Sequence, residues 1–175
     1  PGLIVGPHDN TDRFTYWPAR AAAGGEFVAP GSPRDPIQCI DARDLARFAL
    51  DCIEQKYVGT YNVTSPPGRF SMGALVSASI SAAVAFAKPE VDPAPMWMPA
   101  DFLASQGVQA WSDMPVWLPA EGSQLAFAAT RVDRALQAGL SVRALQSTVD
   151  DTLTWHLGRP DTERASLKTG LARDK

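Results

Sequence analysis

The chain has 175 residues and a net charge of −3; 45% of its residues are hydrophobic and 20% charged, a balance that folds into a globular unit rather than staying disordered. The acidic balance argues against a protein held on nucleic acid by phosphate contacts, which would carry a basic surface. No apolar run approaches the roughly 18 residues of a membrane-spanning helix, no basic-then-apolar leader opens the chain, and two cysteines without framework spacing point to a reducing, cytoplasmic compartment.

In chain order, Leu3-Ile4-Val5 is an apolar run ending in Gly6-Pro7, the pattern of a strand opening into a loop. Apolar at each position, it predicts burial on both faces, as in a parallel sheet. Such a strand at residue 3 leads to the expectation that the N-terminal half of a larger protein precedes it; a processed or trimmed terminus is the plainer alternative. Residues 14–23 predict a short helix that tolerates Pro18 in its first turn and closes at Gly24-Gly25. Residues 26–29 and 37–40 predict short strands around the Pro30–Pro33 turn.

The clearest helical face follows: Leu45, Phe48, Ala49, Cys52 and Ile53 recur at helical spacing, with Asp41 as N-cap and Asp44 adding charge to the first turn. Both Cys39 and Cys52 are expected to be buried, reduced core residues. Thr60–Thr64 predicts a strand stopped by Ser65-Pro66-Pro67-Gly68. Ser71 caps a helix with Met72, Leu75, Val76, Ser79, Ile80 and Ala83 inward. Residues 96–98 predict a strand and 100–107 a short helix. The stretch 108–124, with Trp111, Pro115, Trp117 and Pro119, predicts an irregular loop packed on the core, with a lid or pocket wall as the alternative. A helix over 131–138 closes at Gly139. Leu145, Val149, Thr152, Leu153 and His156 form the inward face of a last helix that ends near Pro160, and residues 161–175 make a polar tail.

Chemistry-bearing motifs are sparse. The sequence holds no Gly-rich dinucleotide turn, P-loop, Cys-x-x-Cys or His-Glu-x-x-His, and no nucleophile elbow. Its two histidines and two cysteines are too scattered to make a metal set, so no metal is expected. His156 reads as a structural residue on an apolar face. His8, in a loop just after a strand, stands where α/β proteins commonly bind ligands.

Several segments in order resemble the C-terminal half of the extended short-chain dehydrogenase/reductases, the NAD-dependent epimerase/dehydratase family. Pro1-Gly2-Leu3-Ile4-Val5-Gly6-Pro7 is similar to the family's Arg-Pro-x-x-x-Tyr-Gly-Pro segment from the residue after its Arg, with Val5 in place of the usual Tyr. Ile37–Ala46 resembles the strand-to-helix segment ending Val-x-Asp-Val-Ala. Gly59-Thr60-Tyr61-Asn62-Val63-Thr64 resembles Gly-x-x-Tyr-Asn-Val-Gly. Arg131–Leu140 resembles the late Lys/Arg-Ala-x-x-x-Leu-Gly-Trp helix, and Thr148–Trp155 the closing helix. The likeness spans residues 1–157, with 90–125 the least typical stretch.

The resemblance implies an α/β fold: the C-terminal portion of a Rossmann-like NAD(P)-binding fold with a small α+β substrate-binding subdomain over residues 1–160, then the tail 161–175. It implies an NAD(P)-dependent epimerase, dehydratase or reductase acting on a sugar nucleotide or another small hydroxyl or carbonyl compound. The alternative is a non-catalytic dinucleotide- or metabolite-binding protein of the same fold. The family's acid/base Tyr-x-x-x-Lys has no match: Tyr16 is followed by Arg20, Tyr57 by Tyr61 and Tyr61 by Ser65, so no catalytic residue is assigned. The resemblance puts the backbone of Pro1, Gly2 and Leu3 beside the cofactor, NAD or NADP in the full-length protein, and His8, Arg13, Tyr16 and Trp17 on the substrate side. Arg34 or Gln38 stands near the place of the family's phosphate-binding Arg; the tryptophans nearby slightly favour a less charged substrate. The expected partners are a small-molecule substrate, the N-terminal half of the same protein and possible further copies of the chain, without nucleic acid or membrane. Because the pyrophosphate-binding turn is absent, residues 1–175 expressed alone are expected to bind no NAD(P) measurably; micromolar affinity by isothermal titration would contradict this.

Overall fold

The computed structural model describes residues 1–172. Strand β1 (Leu3–Val5) lies parallel to β4 (Cys39–Asp41), with Leu3 opposite Cys39, Ile4 opposite Ile40 and Val5 opposite Asp41. A parallel pair needs a long crossover; here it carries helix α1 (Tyr16–Ala22), strand β2 (Glu26–Pro30) and strand β3 (Pro36–Ile37). Helix α2 (Ala42–Glu54) leaves β4 directly. Strand β5 (Phe70–Ser71) pairs antiparallel with β3, and β6 (Ala94–Met98) pairs parallel with β2. The described strands therefore form three two-stranded sheets, each too small to stand alone.

Helices supply the cover. Ser71 caps α3 (Met72–Ala82), its hydroxyl accepting from the Ala74 amide at 3.2 Å. The chain continues as a π-helical turn over Ala83–Ala87, closed by Lys88 in the left-handed region. Helices α4 (Ala100–Ser105), α5 (Asp133–Gln137), α6 (Leu145–Leu157) and α7 (Asp161–Arg164) follow, with a 3-10 segment over Gly122–Ala128. Helix α3 packs between α1 and α6, around a core that includes Phe14, Trp17, Leu75, Met114, Trp117 and Leu153. A second cluster, Ile40, Phe48, Val63, Ala135 and Leu140, joins α2 and α5.

Several expectations need correction. Ile4 is 44% exposed, so β1 is fully covered on one face only: Leu3 and Val5 turn to the main core, and the face carrying Ile4 is partly open. On α2, Phe48 is buried and Leu45 and Cys52 are half-buried, but Ala49 is exposed and Ile53 is 74% exposed. The helix touches its cluster along one narrow line. Cys52 is thus not fully buried, whereas Cys39 is, and burial with the nearby Asp41 charge pushes its thiol up to about 12. Residues 60–64 form no strand. The Gly2 amide donates to the Val63 carbonyl at 3.0 Å and the Ser65 amide to the Cys39 carbonyl at 2.9 Å, but Pro66 and Pro67 carry no N–H to extend a ladder. Helix α1 starts at Tyr16, two residues later than expected, which places Pro18 as its third residue. The stretch 108–124 is packed on the core through Met114, Val116 and Trp117. Of the tail, positions 173–175 lie outside the described residues.

One buried carboxylate ties these parts together. Asp41 ends β4 and caps α2, accepting from the Arg43 amide at 2.9 Å. It pairs with the Arg43 guanidinium at 2.7 Å and lies 3.6 Å from Arg143. The Thr148 hydroxyl of α6 donates to it at 2.8 Å. Burial alone would raise its pKa, but the Arg43 side-chain and amide hydrogen bonds, the Thr148 hydroxyl and the Arg143 charge outweigh burial and hold it below the ordinary value. A depressed carboxylate pKa stabilises the fold above the unfolded-state value, about 4, and that stabilisation is lost as pH falls through the folded-state value. Asp41→Ala is expected to cost about 2–4 kcal/mol through the lost cap and the unpaired partners, and Asp41→Asn to flatten the acid limb of stability below about pH 4. Urea unfolding at neutral and acid pH checks both.

Candidate functional site

An open cavity of about 330 Å³ lies where the first residues meet the segment after β3 and the segment before α5, walled by Pro1, Gly2, Leu3, Gln38, Thr64 and Phe127. Its volume is at the lower end for a small-molecule pocket. Gly2 is required there by close approach: a Cβ at this position would stand 2.7 Å from Thr64 Oγ1 and 2.9 Å from its Cβ. Thr64 is 2% exposed, and its hydroxyl has no hydrogen-bond partner.

Gln38 holds two walls of this cavity together. Its Nε2 donates to the Ser65 carbonyl at 2.7 Å and the Thr130 carbonyl at 2.9 Å, and its Oε1 accepts from the Thr130 amide at 2.8 Å. Both ends of the amide are engaged with backbone, so what it contributes in this structure is wall geometry.

Arg13 reaches the same region indirectly. Its guanidinium lies over the Trp111 ring, 5.9 Å from the centroid, a weak cation–π contact. Its Nε is buried without a hydrogen-bond partner. Trp111, held at φ +69°, meets Phe127 edge-on at 5.0 Å. Phe127 is 49% exposed and borders the cavity. Arg13, Trp111 and Phe127 therefore run in sequence from the loop after β1 to the cavity wall.

The remaining residues singled out from the sequence lie elsewhere. Tyr16 and Trp17 are core residues, 5% and 0% exposed; Trp17 Nε1 donates to the Pro115 carbonyl at 2.8 Å, and burial raises the Tyr16 phenol pKa. His8 is exposed at φ +67° and sits 5.3 Å from Trp155 of α6. Arg34 is exposed in the turn before β3, its amide donating to Ser32 Oγ at 3.2 Å, and is not among the cavity's lining residues. The structure thus brings Pro1, Gly2, Leu3 and Gln38 together, links Arg13 to them through two aromatic rings, and leaves His8, Tyr16, Trp17 and Arg34 apart. His156 is buried on α6, and burial followed by the Arg159 charge lowers its pKa. Among the described residues, no three His, Cys, Asp or Glu side chains come together as a metal set, and no helix is long and apolar enough to cross a membrane.

Thr64 and Phe127 escaped the sequence reading. Thr64 had a signal, as the residue where the strand-like 60–64 run meets the proline turn; Phe127 had none.

No family model matches the sequence, and no curated protein matches it. Solved structures do match in fold. The chain is similar to a GDP-L-fucose synthetase from Naegleria fowleri bound to NADP, with a TM-score of 0.59 and 15% identity over 89% of this chain and 42% of that one. A second structure of a GDP-L-fucose synthetase from the same organism gives 0.58 and 16% identity over 94% and 46%. The chain spans less than half the length of these structures. The shared architecture is a mixed α/β one, matching part of a Rossmann-like fold.

The Gly2–Thr64 approach gives a direct test. Gly2→Ala is expected to destabilise by about 1–3 kcal/mol through overpacking, and Thr64→Gly in the same chain to recover most of the loss. A double-mutant cycle by urea unfolding checks it; additive losses would contradict the contact.

Proposed function

We propose that this chain forms the substrate side of an NAD(P)-dependent epimerase, dehydratase or reductase acting on a sugar nucleotide or another small hydroxyl or carbonyl compound. The observation that carries the reading is the cavity at Pro1–Leu3, whose Phe127 wall is backed by Trp111 and, behind that ring, by Arg13, left with a buried Nε that no protein group satisfies. An unspent buried guanidinium N–H calls for an acceptor, and a substrate oxygen would supply one. The likeness in fold to the GDP-L-fucose synthetases, one of them bound to NADP, supports the same reading.

The residues at the cavity fit the nicotinamide end of such a cofactor. Gly2 presents bare backbone because Thr64 leaves no room for a Cβ, so a flat ring can lie against the main chain. Leu3 and Phe127 give apolar walls, and Gln38 fixes the spacing of the walls through its three backbone hydrogen bonds. When bound, a nicotinamide would supply hydride transfer, taking a hydride from a carbinol carbon or giving one to a carbonyl carbon. Arg13 orients the substrate's electronegative end, so that the carbinol carbon faces the cavity. The proton-transfer pair, Tyr-x-x-x-Lys, and the dinucleotide-binding turn are supplied by another segment of the same polypeptide. Ile4 and Ile53, exposed here, are apolar side chains such a segment would cover.

The test uses the complete polypeptide, including any residues that flank these 175. Titration with NAD and with NADP is expected to give micromolar binding of at least one. Nicotinamide reduction or oxidation is expected with a panel of sugar nucleotides and small alcohols. Arg13→Gln is expected to raise the substrate KM about tenfold or more, the worth of one charged hydrogen bond, at unchanged cofactor affinity. Binding without turnover would favour a non-catalytic dinucleotide sensor of the same fold, and no dinucleotide binding would overturn the proposal.

A further inference from the structure

We propose that residues Lys168–Leu171 form a clasp that holds shut the mouth between the Asn10–Arg13 loop and the Trp111 loop, and so controls access to Arg13 and the Phe127 wall. The role in access rests on the reading above that Arg13 faces substrate; the clasp itself rests on contacts that involve no ligand.

Those contacts run residue by residue. The Lys168 amide donates to Asp12 Oδ2 at 3.1 Å, and Lys168 Nζ to the Asn10 carbonyl at 2.8 Å. The Thr169 hydroxyl donates to the Thr11 carbonyl at 3.2 Å. The Gly170 amide donates to the Ser112 carbonyl at 3.0 Å. Gly170, at φ +113°, lies flat on the Tyr16 ring, where a Cβ would overlap ring carbons, and the Leu171 backbone lies against the Tyr16 phenol.

Asp12 is the anchor. It is 1% exposed at φ +57°, and its other oxygen takes Arg159 Nη1 at 2.9 Å. The two ends of the terminal segment thus converge on one carboxylate, Arg159 just beyond α6 and Lys168 after α7.

The positions of the two attachment points carry the inference. Asp12 immediately precedes Arg13, and Ser112 immediately follows Trp111. The clasp therefore ties together the neighbours of the two residues that form the cation–π pair. Because Trp111 in turn backs Phe127, the clasp sets the position of a cavity wall with which it makes none of these contacts. It is also built to lift. No residue from 165 to 172 is fully buried, its hydrogen bonds go mostly to loop carbonyls, and Leu167 and Leu171 are only partly buried where they pack against the core. Segments of this kind open at low cost relative to the core.

The test is made on the complete polypeptide without ligand. Two variants are compared with wild type: Gly170→Val, which the Tyr16 ring cannot accommodate, and a deletion of residues 165–172, which introduces no clash. Nitration of Tyr16 by tetranitromethane is read by peptide mapping, with Tyr57 and Tyr61 as internal controls, and amide exchange is read over 108–116, 121–130 and α2. Both variants are expected to nitrate Tyr16 about tenfold faster or more, and to speed exchange over 108–116 and 121–130 while α2 stays as in wild type, as local opening requires. Unchanged Tyr16 reactivity in both variants would overturn the clasp, and so would an effect confined to the tail itself. Faster exchange throughout, α2 included, in both variants would overturn it as well, by making the segment an integral part of the core. No readout depends on cofactor or turnover, so failure of the clasp and failure of the proposed activity are separately visible.

Discussion

The Asp41 carboxylate is the constraint on which the rest of the structure depends. A β1–β4 ladder of three residue pairs has little stability of its own. Asp41, opposite Val5 in that ladder, is the residue through which the strands are fixed to helices. It caps α2, receives Thr148 from α6 and pairs with Arg43, which in turn meets Asp151 at 2.5 Å. Arg143 extends the network by pairing with Asp44 at 2.8 Å. A buried anion is costly unless each lone pair finds a donor, and here several converge on it. Gly6, just past β1 and beside the carboxylate, adopts φ +121°, a conformation that L side chains rarely take, so the chain can turn there into the loop. The position of β1, and with it the Pro1–Leu3 wall of the cavity, follows from this arrangement.

A second set of polar anchors steadies the irregular half. Trp117 buries its ring and donates Nε1 to Asp35 Oδ2 at 2.7 Å, while the same oxygen accepts from the Ser32 amide at 3.2 Å. Trp17 donates to the Pro115 carbonyl. Two indoles thus pin a proline-rich stretch that lacks a sheet or long helix of its own. This satisfies their N–H groups as burial demands, while Trp111 faces Arg13 and Phe127. Of the two readings for 108–124, the packed loop describes it: none of its residues lines the cavity, whose wall Phe127 lies just beyond it in the chain.

Much of the architecture was legible because its signals are local. The apolar faces of α3 and α6, the Asp41 and Ser71 caps and the Leu3–Val5 strand are written in spacings of a few residues. The misses have non-local causes. Thr60–Val63 has strand-favouring side chains, but it meets the chain just before β1 through one backbone bond, from the Gly2 amide to the Val63 carbonyl, ahead of the proline turn. Ile53 shares the spacing of Phe48, but only tertiary packing decides which residue of a stripe is covered. At the candidate cavity, Gly2 and Gln38 were singled out through the resemblance of their segments to a family, whereas Phe127 depends on a contact with Trp111 that has no periodic signature. The tail read as polar and unremarkable because its bonds are made by backbone amides and one glycine, groups whose partners sequence does not specify.

The central claim is that the cavity at Pro1–Leu3 faces a nicotinamide. A crystal structure of the complete polypeptide with NADP tests it most directly. The expected result places the nicotinamide ring within about 6 Å, two hydrogen-bond lengths, of the Pro1–Leu3 backbone, with Arg13 on the opposite, substrate side. A dinucleotide bound with its nicotinamide elsewhere on the molecule, and the Gly2–Thr64 cavity facing solvent or another segment, would contradict it.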